Sequence, residues 1–218
     1  MQQRLALFDL DGTLVDRRSA FSDAVVGVCR THGFGSEVEA WLLTELADRA
    51  GPGSFLRVCE AFALTEPAAE LWQTYVDQMA AAVSCRPAVL EGLARLREGG
   101  WTIGVVTNGA ADIQRAKLTA TGLADLVDGV AVSGDLEIRK PDPRLFRLAA
   151  GRCGHDLTEG GWMCGDNPGG DIGGGQQAGL RTIWLRGRPW PAHVDAPDYT
   201  VDDVLDAIGI LRTHDHRR

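Results

Sequence analysis

From Pro87 onward, short apolar runs of strand length alternate with segments of helical periodicity. That alternation is what most restricts how this chain can fold. Val89, Leu90, Leu93 and Leu96 make one helix face, closed by Gly99-Gly100, and 101–106 reads as a strand ending at Thr107. The pattern then predicts a helix over 113–121, a short strand over 127–132 and a helix over 143–153. A strand over 161–164, a glycine-rich helix over 171–178 and a strand over 182–185 follow. An edge strand at 199–201 precedes a last helix near 203–211. Strands joined through helices run parallel, so the expected fold class is α/β, a doubly wound parallel sheet.

One strand stands apart from this series. Residues 5–8 are a compact apolar run, as a strand buried on both faces should be. Between about 19 and 83 no strand-like run occurs. Helical patterns fill the interval: Phe21, Ala24, Val25 and Val28; Val38, Trp41, Leu42 and Leu46; Phe55, Val58, Cys59 and Phe62; Leu71, Trp72, Tyr75, Val76, Met79 and Val83. The expected organisation is a core made of 1–15 and 86–218, interrupted by an all-helical insertion over 16–85. With 44% hydrophobic residues in 218, the chain can fill a sizeable core.

Charge narrows the partners. The formal net charge is -8 and no run of Lys or Arg is longer than a pair, which argues against nucleic acid and against an acidic membrane surface. The five cysteines are scattered and never spaced as CxxC, which fits reduced thiols in a cytoplasmic protein. The apolar stretch near the N-terminus is too short for a signal segment, and none approaches the length of a membrane span.

In an open parallel sheet, ligands sit beyond the carboxyl ends of the strands. The first strand ends Phe8-Asp9-Leu10-Asp11-Gly12-Thr13, and the second ends Thr107-Asn108-Gly109. Arg139-Lys140-Pro141 follows the third, and the fourth ends Gly165-Asp166-Asn167, with Asp171 close behind. Four carboxylates in one crevice repel each other unless a cation joins them. Oxygen-only donors without clustered His or Cys specify a hard cation, and Mg²⁺ fits best because it keeps waters and a phosphate oxygen in its shell. Lys140 and the exposed amides after Asp9 supply further positive potential for a phosphoryl group. Asp9 and Asp11 leave the same face of an extended chain. One of the two carboxylates can attack phosphorus while the other handles protons. Gly12 leaves room for the chain to turn and for a substrate to approach the backbone.

Together these residues resemble the haloacid dehalogenase (HAD) superfamily over almost the whole chain. Asp9–Thr13 is similar to its first motif, Thr107-Asn108 to its second, Lys140 before Pro141 to its third and Gly165–Asp171 to its fourth. The resemblance implies that Asp9 is the nucleophile and Asp11 the general acid and base. It implies a phosphoryl site made by Asp9, Leu10, Asp11, Gly12, Thr107, Asn108 and Lys140. Mg²⁺ would be held by the Asp9 carboxylate, the Asp11 backbone carbonyl and Asp166, with Asn167 and Asp171 in the shell behind. The helical insertion is similar to the family's C1 cap, which closes over substrate. Dehalogenases of the superfamily lack an acid at the position of Asp11, so the implied activity is hydrolysis of a small soluble phosphorylated metabolite through an aspartyl phosphate. A phosphomutase shares the nucleophile and the acid/base. A phospho-aspartate signalling or binding protein is a third reading, opposed by the insertion and by Asp11.

The sequence departs from the family in two places. Asn167 stands where Ser or Thr is frequent, and Gly173-Gly174-Gly175 stands where alanines are common. Three adjacent glycines cost about 1 kcal/mol each in helix propensity, so a loose turn is expected there. Arg17, Arg18, Arg49 and Ser54 are candidates for substrate selection, although a plain linker pair and a plain interhelical loop around Gly51-Pro52-Gly53 explain them as well. Asp166 could instead cap the helix that follows. Trp41, Trp72 and Tyr75 lie at helical spacing and read as core. The tail from His214 reads as frayed and polar, and its His214/His216 pair is not taken as a metal site.

Overall fold

The computed structural model describes residues 4–214 of the chain. Six parallel strands lie in the order β3-β2-β1-β4-β5-β6. They are β1 (Arg4–Phe8), β2 (Trp101–Thr107), β3 (Gly129–Val132), β4 (Trp162–Gly165), β5 (Arg181–Leu185) and β6 (Tyr199–Val201). Strand order reverses at β1, with β2 on one flank and β4 on the other, which opens a crevice at the carboxyl ends of these three strands.

The period-2 alternation of β1 builds both layers of the core. Leu5 and Leu7 face an apolar cluster with Val106, Ala131, Phe146 and Met163, covered by α7 (Pro143–Arg152). Ala6 and Phe8 face the other cluster, with Ile103, Val105, Cys164 and Ile183. On that side lie α5 (Pro87–Glu98), α6 (Ala111–Ala120) and α9 (Val204–Thr213).

Four helices separate β1 from α5: α1 (Arg17–His32), α2 (Ser36–Glu45), α3 (Pro52–Phe62) and α4 (Ala68–Ala82). Each begins where local chemistry allows it. Asp16 accepts the amides of Arg18 and Ser19 at the start of α1, and Pro52 opens α3. Gly53 and Ser54 therefore sit in the first turn of α3 rather than in a loop. The aromatic cluster of Phe55, Trp72 and Tyr75 is buried as expected. The apolar interior of these helices is continuous with the sheet: Val25, Val28, Phe55, Leu71 and Met79 belong to the same cluster as Phe8 and Val105. Trp72 Nε1 adds a hydrogen bond of 2.6 Å to Asp112 at the start of α6.

Two expectations fail locally. The segment read as a helix over 171–178 begins earlier, as a wide turn of π-helix over Pro168–Gly173, and only then becomes α8 (Gly174–Gln177). Its glycines are not loose. A Cβ on Gly174 would lie 2.8 Å from the Phe146 ring and 2.9 Å from Pro141 Cα, and one on Gly175 would lie 3.0 Å from Met163. The missing side chains are what let α8 rest on α7 and β4, so propensity yields to packing. The tail likewise begins in order: the His214 ring is 4.9 Å from that of Trp162, and its Nε2 is 3.2 Å from the Tyr199 hydroxyl. His216 lies outside the described residues.

Candidate active site

At the end of β1 the chain folds back at once. The Leu10 carbonyl accepts the amides of Thr13, Leu14 and Val15, and the Gly12 amide donates to Val15 at 2.9 Å. Gly12 has φ +81, a left-handed turn that glycine adopts without strain, and a Cβ there would lie 3.0 Å from Asp166 Oδ2. The part Gly12 plays in the expected phosphoryl site is thus the turn and the clearance, since its amide is already engaged. Leu10 is fully buried in the core, so only its main chain is left to face a ligand.

This turn directs Asp9 and Asp11 to different partners. Asp9 is buried, and Lys140 Nζ donates to its Oδ1 at 2.6 Å and to the Val106 carbonyl at 2.8 Å. The same ammonium forms an ion pair with Asp171 Oδ1 at 2.7 Å. Asn108 holds Lys140 in place: its Oδ1 accepts the Lys140 amide at 2.9 Å and its Nδ2 donates to the Lys140 carbonyl at 3.2 Å. The Asn108 side chain is therefore a clamp on the lysine backbone rather than a free donor to the crevice. Asp171 is fully buried, with Oδ2 accepting the Asn167 amide at 2.9 Å. Asn167 caps the wide turn through Gly170, which leaves the Asp166 carboxylate free of that duty.

One carboxylate oxygen each from Asp9, Asp166 and Asp171 lies within 4.8 Å of the others. Asp171, expected behind the metal ligands, is fully buried beside Asp9 and Asp166. Asp166 Oδ2 accepts from Arg188 Nε at 2.8 Å, whereas Asp166 Oδ1 is buried with no hydrogen-bond partner among the described residues. Three carboxylates against Lys140 and Arg188 leave one negative charge in excess. Burial, then the charge of Asp171, pushes Asp9 up to about 8, and the opposing pull of Lys140 does not cancel this. Burial raises Asp166 as well, against the pull of Arg188. Burial works against the Lys140 ammonium, but Asp171 and Asp9 outweigh it and hold Lys140 above the usual lysine range. A buried Asp166 oxygen without a partner, together with the excess negative charge, fits a hard divalent cation, and the all-oxygen donor set fits Mg²⁺.

Asp11 lies outside this cluster. Both of its oxygens accept from Lys117 Nζ, at 2.8 and 2.9 Å, and Oδ2 also accepts from Gln114 Nε2 at 3.1 Å. Gln114 Nε2 donates in addition to Thr107 Oγ1 at 2.5 Å, which leaves the Thr107 hydroxyl proton to donate elsewhere. Lys117, Gln114 and Arg188 were missed from sequence. The first two carried a signal, being polar residues on the same α6 stripe as Ile113 and Leu118.

The crevice over these groups has a volume of about 840 Å³ and is also lined by Arg17, Arg18, Arg49, Tyr75 and Arg139. Arg17 donates to the carbonyls of Leu46 and Ala47 at 2.9 and 2.8 Å, and so ties the loop after α2 to the start of α1. Its guanidinium completes a helix end. Arg18 and Arg49 are exposed on the lining and make no ion pair among the described residues. Ser54 is buried, accepts from Arg57 at 3.1 Å and is not on the lining of the crevice. Tyr75 is buried at the crevice wall, with its hydroxyl in the field of the Arg17 guanidinium.

Comparison with known proteins places this site in a family. The model of the haloacid dehalogenase-like hydrolases matches residues 6–185, and the chain belongs to that family. A phosphoserine phosphatase of Thermus thermophilus is 42% identical over 115 residues, which is 52% of this chain and 46% of that protein, so the match spans under half of that relative's length. A HAD phosphatase from Thermococcus onnurineus superposes with a TM-score of 0.69 at 25% identity, over 96% of this chain and 98% of that one. A 2-haloacid dehalogenase from Pseudomonas syringae does so with a TM-score of 0.70 at 27% identity, over 97% and 99%. The likeness thus extends to phosphatases and to a dehalogenase.

Proposed function

We propose that the chain is a magnesium-dependent phosphomonoesterase that takes the phosphoryl group of a small phosphorylated metabolite onto Asp9 and releases it as inorganic phosphate. The observation that carries this reading is the contrast between two aspartates at one strand end. Asp9 is enclosed with Lys140 and Asp171, while the Asp11 side chain is 21% exposed at the crevice and is tied to Lys117 and Gln114. Carboxylates kept in different surroundings suit different tasks, here nucleophile and acid/base.

Asp9 attacks phosphorus in its ionised form. Lys140, at its Oδ1, stands where the oxygens of the arriving phosphoryl group gather, and the Thr107 hydroxyl has a proton to give them. Asp11 gives a proton to the departing alkoxide and then takes one from the water that opens the aspartyl phosphate. A bound cation would be held by Asp9, Asp166 and Asp171, with the Asp11 carbonyl that the resemblance implies. It would offset the repulsion between the Asp9 carboxylate and a phosphate dianion. Departure of a halide needs no proton, so an acid at position 11 favours phosphate esters over haloacids. Helices α1–α4 act as the cap, and Arg49 on the loop anchored by Arg17 helps choose the ester. Five unpaired cysteines support a reducing, cytoplasmic setting.

The test is a panel of phosphorylated metabolites and 2-haloacids with and without Mg²⁺. Asp9→Asn should be inactive on every ester. Asp11→Asn should slow natural esters by about 10²–10⁴-fold and should accumulate a phosphate-sized mass on the peptide containing Asp9 after acid quench. Turnover that survives exhaustive chelation would sink the reading, and so would haloacid turnover without phosphatase activity. Isomerised sugar phosphate without phosphate release would make the chain a mutase.

A further inference from the structure

Asp9 and Asp11 are each paired with a different buried lysine. Lys140 is part of the motif pattern, and Lys117 is not. On α6 the buried residues are Ile113, Gln114, Lys117 and Leu118, the spacing of an ordinary apolar stripe. A helix that served packing alone would carry Leu or Met at 114 and 117, because a buried ammonium is costly unless it is fully paired. Where a chain breaks its own pattern in the core, function is the usual reason.

The pairing here is complete. The lysine ammonium has three donors, and acceptors stand at Asp11 Oδ1 (2.8 Å), Asp11 Oδ2 (2.9 Å) and Gln114 Oε1 (2.9 Å). The Gln114 amide closes the network on Asp11 Oδ2 and Thr107 Oγ1. One turn of one helix therefore fixes both oxygens of Asp11 and links them to the hydroxyl at the end of β2. The Lys117 side chain is 3% exposed and that of Asp11 is 21% exposed, so the carboxylate meets the crevice while its anchor lies behind it.

We propose that Lys117 is a positioning residue for Asp11, supported by Gln114, holding the carboxylate where it can reach the leaving oxygen. This rests on the reading of Asp11 as acid and base. With the anchor removed, Asp11 keeps a single bond to Gln114 and can rotate. Misplacement of a catalytic group by about 1 Å can cost 10²-fold.

The experiment measures kcat/KM with an alkyl phosphate and with nitrophenyl phosphate, at one pH and saturating Mg²⁺. The proteins are wild type, Lys117→Met, Asp11→Asn and the double variant. This quantity reports the first step, in which an alkoxide needs the Asp11 proton and a nitrophenolate scarcely does. Lys117→Met should lose about 10–10²-fold on the alkyl ester, and markedly more there than on the nitrophenyl ester. In the Asp11→Asn background the same change should cost less than about twofold, the coupling expected of residues acting through one another. An equal loss on both esters, or a loss undiminished by Asp11→Asn, overturns the proposal. If Lys117→Met does not fold, the double variant removes the carboxylate charge together with its counter-ion. Matching Asp11→Asn then supports the proposal, and a further loss overturns it. A wild-type chain that hydrolyses neither ester overturns the acid–base reading and this inference with it. An active wild type with a failed cycle overturns the inference alone.

Discussion

Raising the pH from about 5 to about 8 in the presence of a chelator should destabilise this protein, and Asp9→Asn should remove most of the effect. The Asp9 carboxyl, ordinarily near 3.8, is pushed up to about 8 by burial and by Asp171. Between these values the folded state holds a proton that the unfolded chain has released. The fold thus binds more protons than the unfolded chain, and stability falls as pH rises. Each pH unit crossed costs about 1.4 kcal/mol per proton, so the loss over the window is about 4 kcal/mol at most. Against a total stability of about 5–15 kcal/mol, that is a large share. Asp166, raised by burial, acts in the same direction. A divalent cation favours the ionised carboxylates, so saturating Mg²⁺ should flatten the slope. Urea unfolding followed by tryptophan fluorescence at several pH values, in chelator and in Mg²⁺, measures it. Equal chelated midpoints at both ends of the window would refute the reasoning. A slope in Asp9→Asn equal to that of wild type would do the same.

Three further outcomes are expected. Gly174→Ala should cost about 1–3 kcal/mol by overpacking, because its Cβ would meet Phe146 and Pro141 at under 3 Å; urea midpoints report it. Lys140→Met leaves Asp9 and Asp171 without their shared cation and should cost about 3–5 kcal/mol in chelator. Adding Asp171→Asn should recover part of that loss, which calorimetric melting can follow. Arg49→Ala should change the ranking of natural esters more than the rate with nitrophenyl phosphate, whereas Ser54→Ala should leave the ranking as it is; specificity constants across the panel decide both.

The motif residues were legible from the sequence because they end strands or lie in the connections just after them, and parallel strands bring their carboxyl ends to one edge. Asp9, Thr107 and Asp166 needed only that rule to be placed together. Strand and helix positions followed from periodicity, which is a local property of the chain. Tertiary structure decided what each side chain does once it arrives. Asn108 clamps Lys140, Asn167 caps a turn, Arg17 secures a helix end, and Ser54 is buried away from the crevice. Gly174 and Gly175 read as weak helix formers, yet they are the residues that α8 requires to lie against Phe146 and Met163. Lys117 lies on α6, and Arg188 lies three residues beyond β5 outside any motif. They reach Asp11 and Asp166 from 106 and 22 residues away. Such pairings depend on the direction of a side chain in the folded molecule, and neither spacing nor composition encodes that direction.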